Sequence, residues 1–281
     1  MASETFFRAG VMGWPVSHSL SPRLHGYWLR LHHVSGVYGA IPVEPQQLAS
    51  ALGLLQIHGY RGVNLTIPHK EQALKFVDVV EPLARRIGAV NTVVVSEDGT
   101  LEGRNTDAFG FIETLRSSGY LFDEDNKRGI VVLGAGGAAR AALVGLLDQG
   151  VKDIRLVNRT RERAEALAEE IDPDAISVFD WRDSAAFKGA GLLVNATSLG
   201  MVGQPPLDYS LDGLAQSAFV MDMVYAPLIT PLLAEAARRG YRAIDGLGML
   251  LHQARPAFAA FFGIDPKVTP ELRAYVLEGR G

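Results

Sequence analysis

The stretch that decides the fold is GIVVLGAGGAARAALVGLLDQG, residues 129–150. A short apolar run typical of a buried strand is followed by a glycine-rich turn, and an apolar helical stretch begins inside that turn. Gly134 permits the tight turn, Gly136 lets a ligand approach the backbone, and Ala139 takes the small-residue position where helix and strand pack closely. This order predicts a dinucleotide-binding unit with the pyrophosphate at the helix N-terminus. An ordinary packing turn is the alternative.

Further strand–helix units surround that stretch. Alternating strands and helices are typical of α/β domains with a largely parallel sheet. We predict strands over 153–160, 175–180, 191–197, 218–225 and 241–245, and helices over 161–171 and 231–240. Two more helices are predicted over 246–263 and 269–278.

The residues at the end of the strand predicted over 153–160 indicate which dinucleotide is bound. Enzymes that prefer NAD usually have Asp or Glu there, which holds the ribose 2′-OH. This chain has Asn158, Arg159 and Thr160, with Arg161 and Arg163 just behind. A guanidinium suits a 2′-phosphate by charge and by bidentate geometry. NADP is therefore the expected cofactor, although acidic residues of the following helix offer Arg161 another partner.

Residues 1–106 also alternate strand-like and helix-like pieces, so we predict a second α/β domain with a mainly parallel sheet. A hairpin is predicted over 92–103, with Asp98 and Gly99 in the turn. The other predicted strands are 8–13, 36–43 and 60–66, and predicted helices cover 45–59 and 82–90 and begin at Ser21-Pro22 and at Pro68.

Composition excludes several classes of protein. The 281 residues include 27 basic and 31 acidic side chains, a net charge of −4 that offers no footprint for nucleic acid or an anionic membrane. The sequence has no cysteine, which excludes disulfides and thiolate metal sites. We see no signal peptide and no apolar run of about 20 residues that would span a membrane. A cytoplasmic protein is expected.

Lys70 and Asp107 are candidate catalytic residues. Lys70 follows the strand-like VNLT (63–66), and Pro68 is well placed to begin a helix. A cation in the first helical turn opposes the helix dipole, which lowers its pKa and suits a proton donor. Asp107 is the expected N-cap of the next helix. A surface lysine and a simple cap are the alternatives.

Ser17 and Ser19 are candidate anion-binding residues. In an extended segment, hydroxyls at positions i and i+2 point the same way and can donate together to a carboxylate. Turn and cap chemistry is the alternative. His18 and His25 lie nearby, but no third ligand has metal spacing, so no metal is expected.

Nine motifs occur along the chain in the order GWPVSHSLSPRLH (13–25), VNLTIPHK (63–70), GAVNT (88–92), GRNTD (103–107), GAGGAAR (134–140), NRT (158–160), NATSLGM (195–201), DMVYAPLITPLL (222–233) and GLGMLLHQA (246–254). Together they resemble the shikimate dehydrogenase family over residues 6–276. That family reduces 3-dehydroshikimate with NADPH in aromatic biosynthesis. One departure is Gly26, where the family usually has Asn after His25.

The resemblance implies two α/β domains with a deep cleft. The substrate-binding domain would cover 1–106 and be completed by C-terminal helices in 245–281, and the Rossmann-type NADP-binding domain would cover 107–244. Lys70 and Asp107 would be the catalytic pair. The substrate-binding residues would be Ser17 and Ser19 on the carboxylate, Thr66, Lys70, Asn91, Asp107 and Gln253 on the ring, and Tyr225 near the carboxylate. The cofactor-binding residues would be Gly134, Ala135, Gly136, Gly137, Ala138, Asn158, Arg159, Thr160, Arg163, Thr197, Met223, Gly246 and Met249.

The expected activity is thus reversible, NADP-dependent reduction of 3-dehydroshikimate to shikimate, a small-molecule substrate. Two alternatives stay open: a dehydrogenase acting on quinate or an aminated analogue, and a non-catalytic NADP-binding regulatory protein on the same fold. The sequence leaves the oligomeric state open, a homodimer included. Gln253 alone would more readily be a satisfied core amide.

Overall fold

The computed structural model describes residues 6–125 and 127–278. Contacts divide this chain into two compact units. The first unit runs to Thr106 and resumes at Leu250, and the second covers Asp107–Met249. Each unit has its own six-stranded sheet with helices, so the predicted α/β class is confirmed.

The first unit begins with short strands and helices in alternation. Its elements up to Thr106 are β1 (Phe7–Gly13), α1 (Ser21–Leu31), β2 (Gly36–Pro42), α2 (Leu48–Gly53), β3 (Tyr60–Leu65), β4 (Val79–Val80), α3 (Pro82–Ile87), β5 (Thr92–Val95) and β6 (Leu101–Arg104). The sheet has the order β2-β1-β3-β5-β6-β4. β1 is parallel to both of its neighbours, whereas β5 is antiparallel to β3 and β6, because β5 and β6 form the predicted hairpin.

Two predicted helices differ in the structure. No α-helix begins at Pro68; His69 N–H instead donates to Thr66 C=O at 2.9 Å, which closes a turn around a cis Ile67–Pro68 peptide. Only a 3-10 helix, Gln72–Lys75, follows. The residue before a proline disfavours the helical region, so the chain turns here. The helix expected over 45–59 is also shorter, because α2 ends at Gly53.

The second unit has a fully parallel sheet. Its elements are α4 (Asp107–Ser117), α5 (Phe122–Asp125), β7 (Ile130–Leu133), α6 (Gly137–Asp148), β8 (Ile154–Val157), α7 (Arg161–Ile171), β9 (Ile176–Phe179), β10 (Leu192–Asn195), β11 (Phe219–Asp222), α8 (Pro231–Arg238) and β12 (Arg242–Ile244). The order β12-β11-β10-β7-β8-β9 is the Rossmann order. Strand order reverses between β7 and β10, and in such sheets ligands bind beyond the carboxyl ends of the strands at that point.

The C-terminal helices return to the first unit, as expected. They are α9 (Leu247–Phe262) and α10 (Pro270–Leu277). Trp28 on α1 packs edge-on against Phe258 at 5.4 Å between ring centroids, and its Nε1 donates to Lys267 C=O at 3.3 Å. Arg23 Nε donates to Tyr275 C=O at 2.6 Å. Among the described helices, none is both long and apolar enough to cross a membrane.

Candidate active site

Asn91 lies at the centre of a buried polar cluster in the first unit. Its Oδ1 accepts from Thr106 N–H at 2.8 Å and from the Thr92 hydroxyl at 2.9 Å. Its Nδ2 donates to Thr106 Oγ1 at 2.9 Å and to Gln253 Oε1 at 3.4 Å. Only 2% of Asn91 is exposed. We call Asn91, Thr92, Thr106 and Gln253 the Asn91 cluster.

The Asn91 cluster joins two predicted substrate residues that are 162 positions apart in sequence. Gln253 is half-buried on α9, and its Nε2 donates to Leu250 C=O of the same helix at 3.1 Å. It therefore faces other polar side chains and is not enclosed in an apolar core. Sequence reasoning missed Thr106, whose only signal was its place beside Asp107 in the GRNTD motif.

Thr66 and Lys70 lie in the loop after β3, close in the backbone to Asn91. Leu65 N–H donates to Asn91 C=O at 2.7 Å, and Val90 N–H donates to Lys70 C=O at 2.8 Å. These bonds hold the VNLTIPHK segment beside the GAVNT segment. Since Lys70 is not in the first turn of an α-helix, the dipole argument for its pKa was wrong. Its candidacy rests on its position.

The serine loop, residues 14–20 between β1 and α1, is a turn and not an extended segment. Ser19 N–H donates to Val16 C=O at 3.1 Å, and Ser19 Oγ accepts from Ser21 N–H at 3.3 Å. The extended-strand argument for two parallel hydroxyls was therefore wrong. Trp14 N–H donates to Ile67 C=O at 3.1 Å, which ties the serine loop to the loop of Thr66. Ser17 is exposed and Ser19 half-buried.

Asp107 is the first residue of α4 and of the second unit. The helix begins with Asp107 itself and not after it, a difference of one position from the predicted cap. Only 4% of the residue is exposed. A carboxylate at a helix start interacts favourably with the helix dipole.

The glycine-rich turn after β7 has the features that a dinucleotide needs. Gly134 has φ of +108°, and a Cβ there would lie 3.0 Å from Thr197 Cγ2, so the protein itself requires glycine. An added Cβ at Gly136 or Gly137 would meet no described atom within 4 Å, and neither residue has positive φ. Neither packing nor conformation thus explains these two glycines. Backbone approach by a ligand at the N-terminus of α6 explains both, so the residues present fit a dinucleotide.

The neighbouring alanines of the same turn differ in burial. Ala135 and Ala139 are 5% and 0% exposed and belong to the core of the second unit, whereas Ala138 is half-buried. The buried Ala139 confirms the close-packing role expected for the third fingerprint position. Ala135 can reach a ligand only through its backbone.

The arginines after β8 have different partners. Arg161 Nε is 2.7 Å from Glu165 Oε1, and Arg161 Nη1 is 2.9 Å from Asp180 Oδ1. Arg159 is exposed and makes no hydrogen bond or ion pair with any residue in the described ranges. Asn158 Nδ2 donates to Thr160 C=O at 2.8 Å, which shapes the turn that presents Arg159. The alternative explanation of a paired surface arginine thus holds for Arg161 and not for Arg159. Arg163 is exposed on α7.

Buried Asp222 organises the loops after β10 and β11. Its Oδ1 accepts from Asn195 Nδ2 at 2.9 Å, and its Oδ2 accepts from the Thr230 hydroxyl at 2.7 Å. Asn195 Oδ1 in turn accepts from the Thr197 hydroxyl at 2.7 Å, and Asn195 C=O accepts from Met223 N–H at 3.0 Å. Burial raises the pKa of the Asp222 carboxyl. Sequence reasoning quoted these motifs but missed Asn195, Asp222 and Thr230 as the residues that hold Thr197 and Met223 in place.

The remaining candidates on this side have partly structural explanations. A Cβ at Gly246 would lie 2.3 Å from Met223 C=O, so close backbone packing requires glycine there. Met249 is 9% exposed and belongs to the core of the second unit. Tyr225 is half-buried in the loop after β11. In residues 6–125 and 127–278, no three His, Cys, Asp or Glu side chains come together as metal ligands.

Comparisons with known proteins cover nearly the whole chain. The family model of the shikimate dehydrogenase substrate binding domain matches residues 11–93, and that of shikimate / quinate 5-dehydrogenase matches residues 119–199. The shikimate dehydrogenase (NADP(+)) of Paramagnetospirillum magneticum is 53% identical over 270 residues, which are 96% of this chain and 97% of that protein.

Solved structures show the same likeness. Shikimate 5-dehydrogenase from Thermus thermophilus, in complex with NADP(H) and shikimate, has a TM-score of 0.86 and 38% identity, covering 96% of this chain and 98% of that one. Quinate dehydrogenase from Corynebacterium glutamicum, in complex with NAD, has a TM-score of 0.88 and 30% identity, covering 97% and 99%. The Rossmann strand order of the second unit agrees with this likeness. The chain belongs to the shikimate dehydrogenase family.

Proposed function

We propose that this protein is an NADP-dependent shikimate dehydrogenase, which reduces 3-dehydroshikimate to shikimate and catalyses the reverse reaction. The Asn91 cluster carries the proposal. A polyhydroxylated ring acid needs several convergent polar groups, since each buried hydroxyl left unpaired costs about 1–3 kcal/mol. The first unit supplies these groups from separate parts of the chain, beside the loop of Thr66 and Lys70.

The proposed substrate contacts follow the polarity of the ligand. The hydroxyls of Ser17 and Ser19 would donate to the carboxylate, with Tyr225 at the same end. The ring hydroxyls would meet amide and hydroxyl groups, which both donate and accept, together with a carboxylate that accepts and an ammonium that donates. The residues proposed for the ring are Thr66, Lys70, Asn91, Asp107 and Gln253.

The proposed chemistry is hydride transfer followed or accompanied by protonation. NADPH, when bound, supplies the hydride that forms the new C–H bond. As the ketone oxygen gains negative charge, the Lys70 ammonium stabilises it and donates the proton that forms the hydroxyl. Lys70 then regains a proton from solvent. Asp107 accepts a hydrogen bond from the neighbouring ring hydroxyl and keeps the substrate oriented.

NADP would be held at three places in the second unit. Gly134 to Ala138 and the start of α6 would bind the pyrophosphate. Asn158, Arg159, Thr160 and Arg163 would surround the 2′-phosphate, and the exposed, unengaged guanidinium of Arg159 supports this best. The loops that carry Thr197 and Met223, together with Gly246 and Met249, would lie at the nicotinamide side.

A quinate-oxidising enzyme is the competing function within the same family, because the C. glutamicum neighbour is a quinate dehydrogenase in complex with NAD. The absence of an acidic residue after β8 disfavours NAD here. An aminated ring substrate would meet the same polar residues. A non-catalytic NADP-binding protein is disfavoured because both Lys70 and Asp107 are present.

The experiment is a two-by-two comparison of kcat/KM for shikimate and quinate with NADP and NAD. We expect the shikimate–NADP pair to exceed each other pair by at least about tenfold, or 1.4 kcal/mol. Quinate with NAD as the best pair would overturn the proposal, and so would no turnover with any pair. The cytoplasmic location and the oligomeric state stay predictions, which cell fractionation and analytical ultracentrifugation test.

A further inference from the structure

Tyr38 on β2 is buried and does not belong to the proposed set of substrate residues. Only 5% of it is exposed, and its hydroxyl donates to Asn64 Oδ1 at 2.7 Å. Burial raises the pKa of this phenol, so Tyr38 keeps its proton at neutral pH and remains a hydrogen-bond donor.

From Asn64 the hydrogen bonds continue in one direction to Asn91. Asn64 Nδ2 donates to Thr92 Oγ1 at 2.9 Å, and the Thr92 hydroxyl donates to Asn91 Oδ1 at 2.9 Å. Asn64 and Thr92 are 6% and 0% exposed, so water does not compete for these groups. The chain of donors fixes the Asn91 amide with its oxygen toward Thr92, and its nitrogen is left to face Thr106 and Gln253.

Helix α1 provides the connection to the serine loop. Ser21, 7% exposed, is the first residue of α1, and its N–H donates to Ser19 Oγ at 3.3 Å. The serine loop is thus bonded to the first turn of the helix that also carries His25.

The Tyr38 ring is itself held by a stack with His25. The two ring centroids are 3.9 Å apart and the planes differ by 4°. His25 is fully buried, and neither of its ring nitrogens has a hydrogen-bond partner among the described residues. Trp28 and Phe258 pack around the same histidine. This packing joins Tyr38 to α1 and leaves its phenol little freedom to swing away from Asn64.

We propose that Tyr38 is a positioning residue that couples the serine loop to the Asn91 cluster, so that a ligand's carboxylate and its ring hydroxyls are received at a fixed separation. This rests on the proposed function, which places the substrate carboxylate at the serines and the ring at Asn91. Tyr38 acts through the His25 stack on one side and Asn64 on the other, and it does not touch the substrate.

The test is Tyr38→Phe, which keeps the stacked ring and removes only the hydroxyl. We expect KM and the directly measured Kd for shikimate to rise about fivefold to twentyfold, a change typical of lost positioning. We expect kcat to fall less than about threefold and the Kd for NADPH to stay unchanged. Thr92→Val removes the hydroxyl that passes the same chain of hydrogen bonds from Asn64 to Asn91 and should raise the Kd for shikimate in the same direction. It supplies the measurement if Tyr38→Phe does not fold.

Two comparisons distinguish coupling from general loosening. Cyclohex-1-ene-1-carboxylate has the carboxylate but no ring hydroxyls, so its inhibition constant should change less than twofold in Tyr38→Phe. Tyr209→Phe is the matched control, because Tyr209 is a partly buried tyrosine of the second unit whose hydroxyl has no hydrogen-bond partner within the described chain. It should leave every constant unchanged.

Parental KM and Kd for shikimate in Tyr38→Phe, with only a lower melting temperature, would mean that the tyrosine is merely structural. Equal weakening of shikimate and of the hydroxyl-free acid would also overturn the coupling. These results differ from failure of the proposed function, in which the parent protein itself does not oxidise shikimate with NADP; the inference then fails with it.

Discussion

Replacing Arg159 by alanine tests how the protein distinguishes NADP from NAD. Arg159 is exposed and makes no hydrogen bond or ion pair with another described residue, so its removal breaks no internal bond. A hydrogen bond to a charged group contributes about 1.5–3 kcal/mol. Because solvent screens an exposed guanidinium, we take the lower end, which corresponds to a loss of roughly tenfold in affinity for NADP. NAD lacks the 2′-phosphate and should bind almost as in the parent.

The matched control is Arg161→Ala, two residues further on. Arg161 is already engaged by Glu165 and Asp180 at 2.7 and 2.9 Å, and these partners hold its pKa above the usual range. Its loss should change the affinity for both cofactors by less than about twofold, because exposed ion pairs contribute little. Arg159→Asp extends the series, since it adds repulsion toward the phosphate and supplies the acid that NAD enzymes have there.

The measurements are Kd values for NADPH and NADH by fluorescence titration, and kcat/KM for NADP and NAD at fixed shikimate. The reasoning predicts a fall in the NADP/NAD ratio for both Arg159 variants and an unchanged ratio for Arg161→Ala. An unchanged ratio in Arg159→Asp, or an equal fall in Arg161→Ala, would refute the assignment of the phosphate site to Arg159.

Further predictions address catalysis, the cofactor turn and stability. Lys70→Ala should lower kcat by about 10²–10⁴ with little change in the Kd for shikimate, whereas exposed Lys75→Ala should keep parental kinetics; a kcat within threefold of the parent would remove Lys70 from the mechanism. Gly136→Ala should weaken NADPH binding, measured by titration, without lowering the melting temperature. Gly246→Ala should lower the free energy of unfolding by about 1–3 kcal/mol through overpacking, measured by calorimetry. A destabilised Gly136→Ala that binds NADPH normally, or a Gly246→Ala as stable as the parent, would contradict these roles. Burial lowers the pKa of His25 to about 3, whereas the unfolded imidazole titrates near 6.5, so the unfolded state takes up the proton and the fold loses stability as pH falls below 6.5. Between pH 7 and 5 the parent should lose about 2 kcal/mol more than His25→Phe, measured by urea denaturation, and equal losses would contradict this.

Much of the fold could be predicted because local signals and tertiary structure agree. The glycine turn after β7 and the alternation of strands and helices identify the Rossmann unit, and Asp98-Gly99 identifies the hairpin. The helix expected at Pro68 fails because His69 N–H pairs with Thr66 C=O and Thr66 N–H pairs with Met12 C=O of the neighbouring strand. Hydrogen bonding to a strand distant in sequence thus helps to determine the structure of this segment, and local helix propensity gives no information about such bonds.

The candidate site also contains residues that the sequence can identify and others that only the structure reveals. Charged and glycine residues stand out by type, so Lys70 and Arg159 could be proposed from the sequence alone. Tyr38, Asn64 and Thr106 are ordinary neutral residues in a sequence, and they become significant only when burial forces them to satisfy one another. Which arginine after β8 remains available depends on Asp180, 19 positions beyond Arg161, and sequence order does not reveal that contact.

The division of the first unit between two parts of the chain affects how the protein is made. Trp28, in the early part, packs against Phe258 in the late part, and Arg23 bonds to Tyr275. Translation at about 5–20 residues per second needs roughly 10–30 s to pass from Asp107 to Tyr275. During that time Trp28 on α1 lacks its packing partner Phe258, which has not yet been synthesised. The second unit, whose strands are contiguous in sequence, can fold meanwhile. The part of the protein synthesised first is therefore completed last.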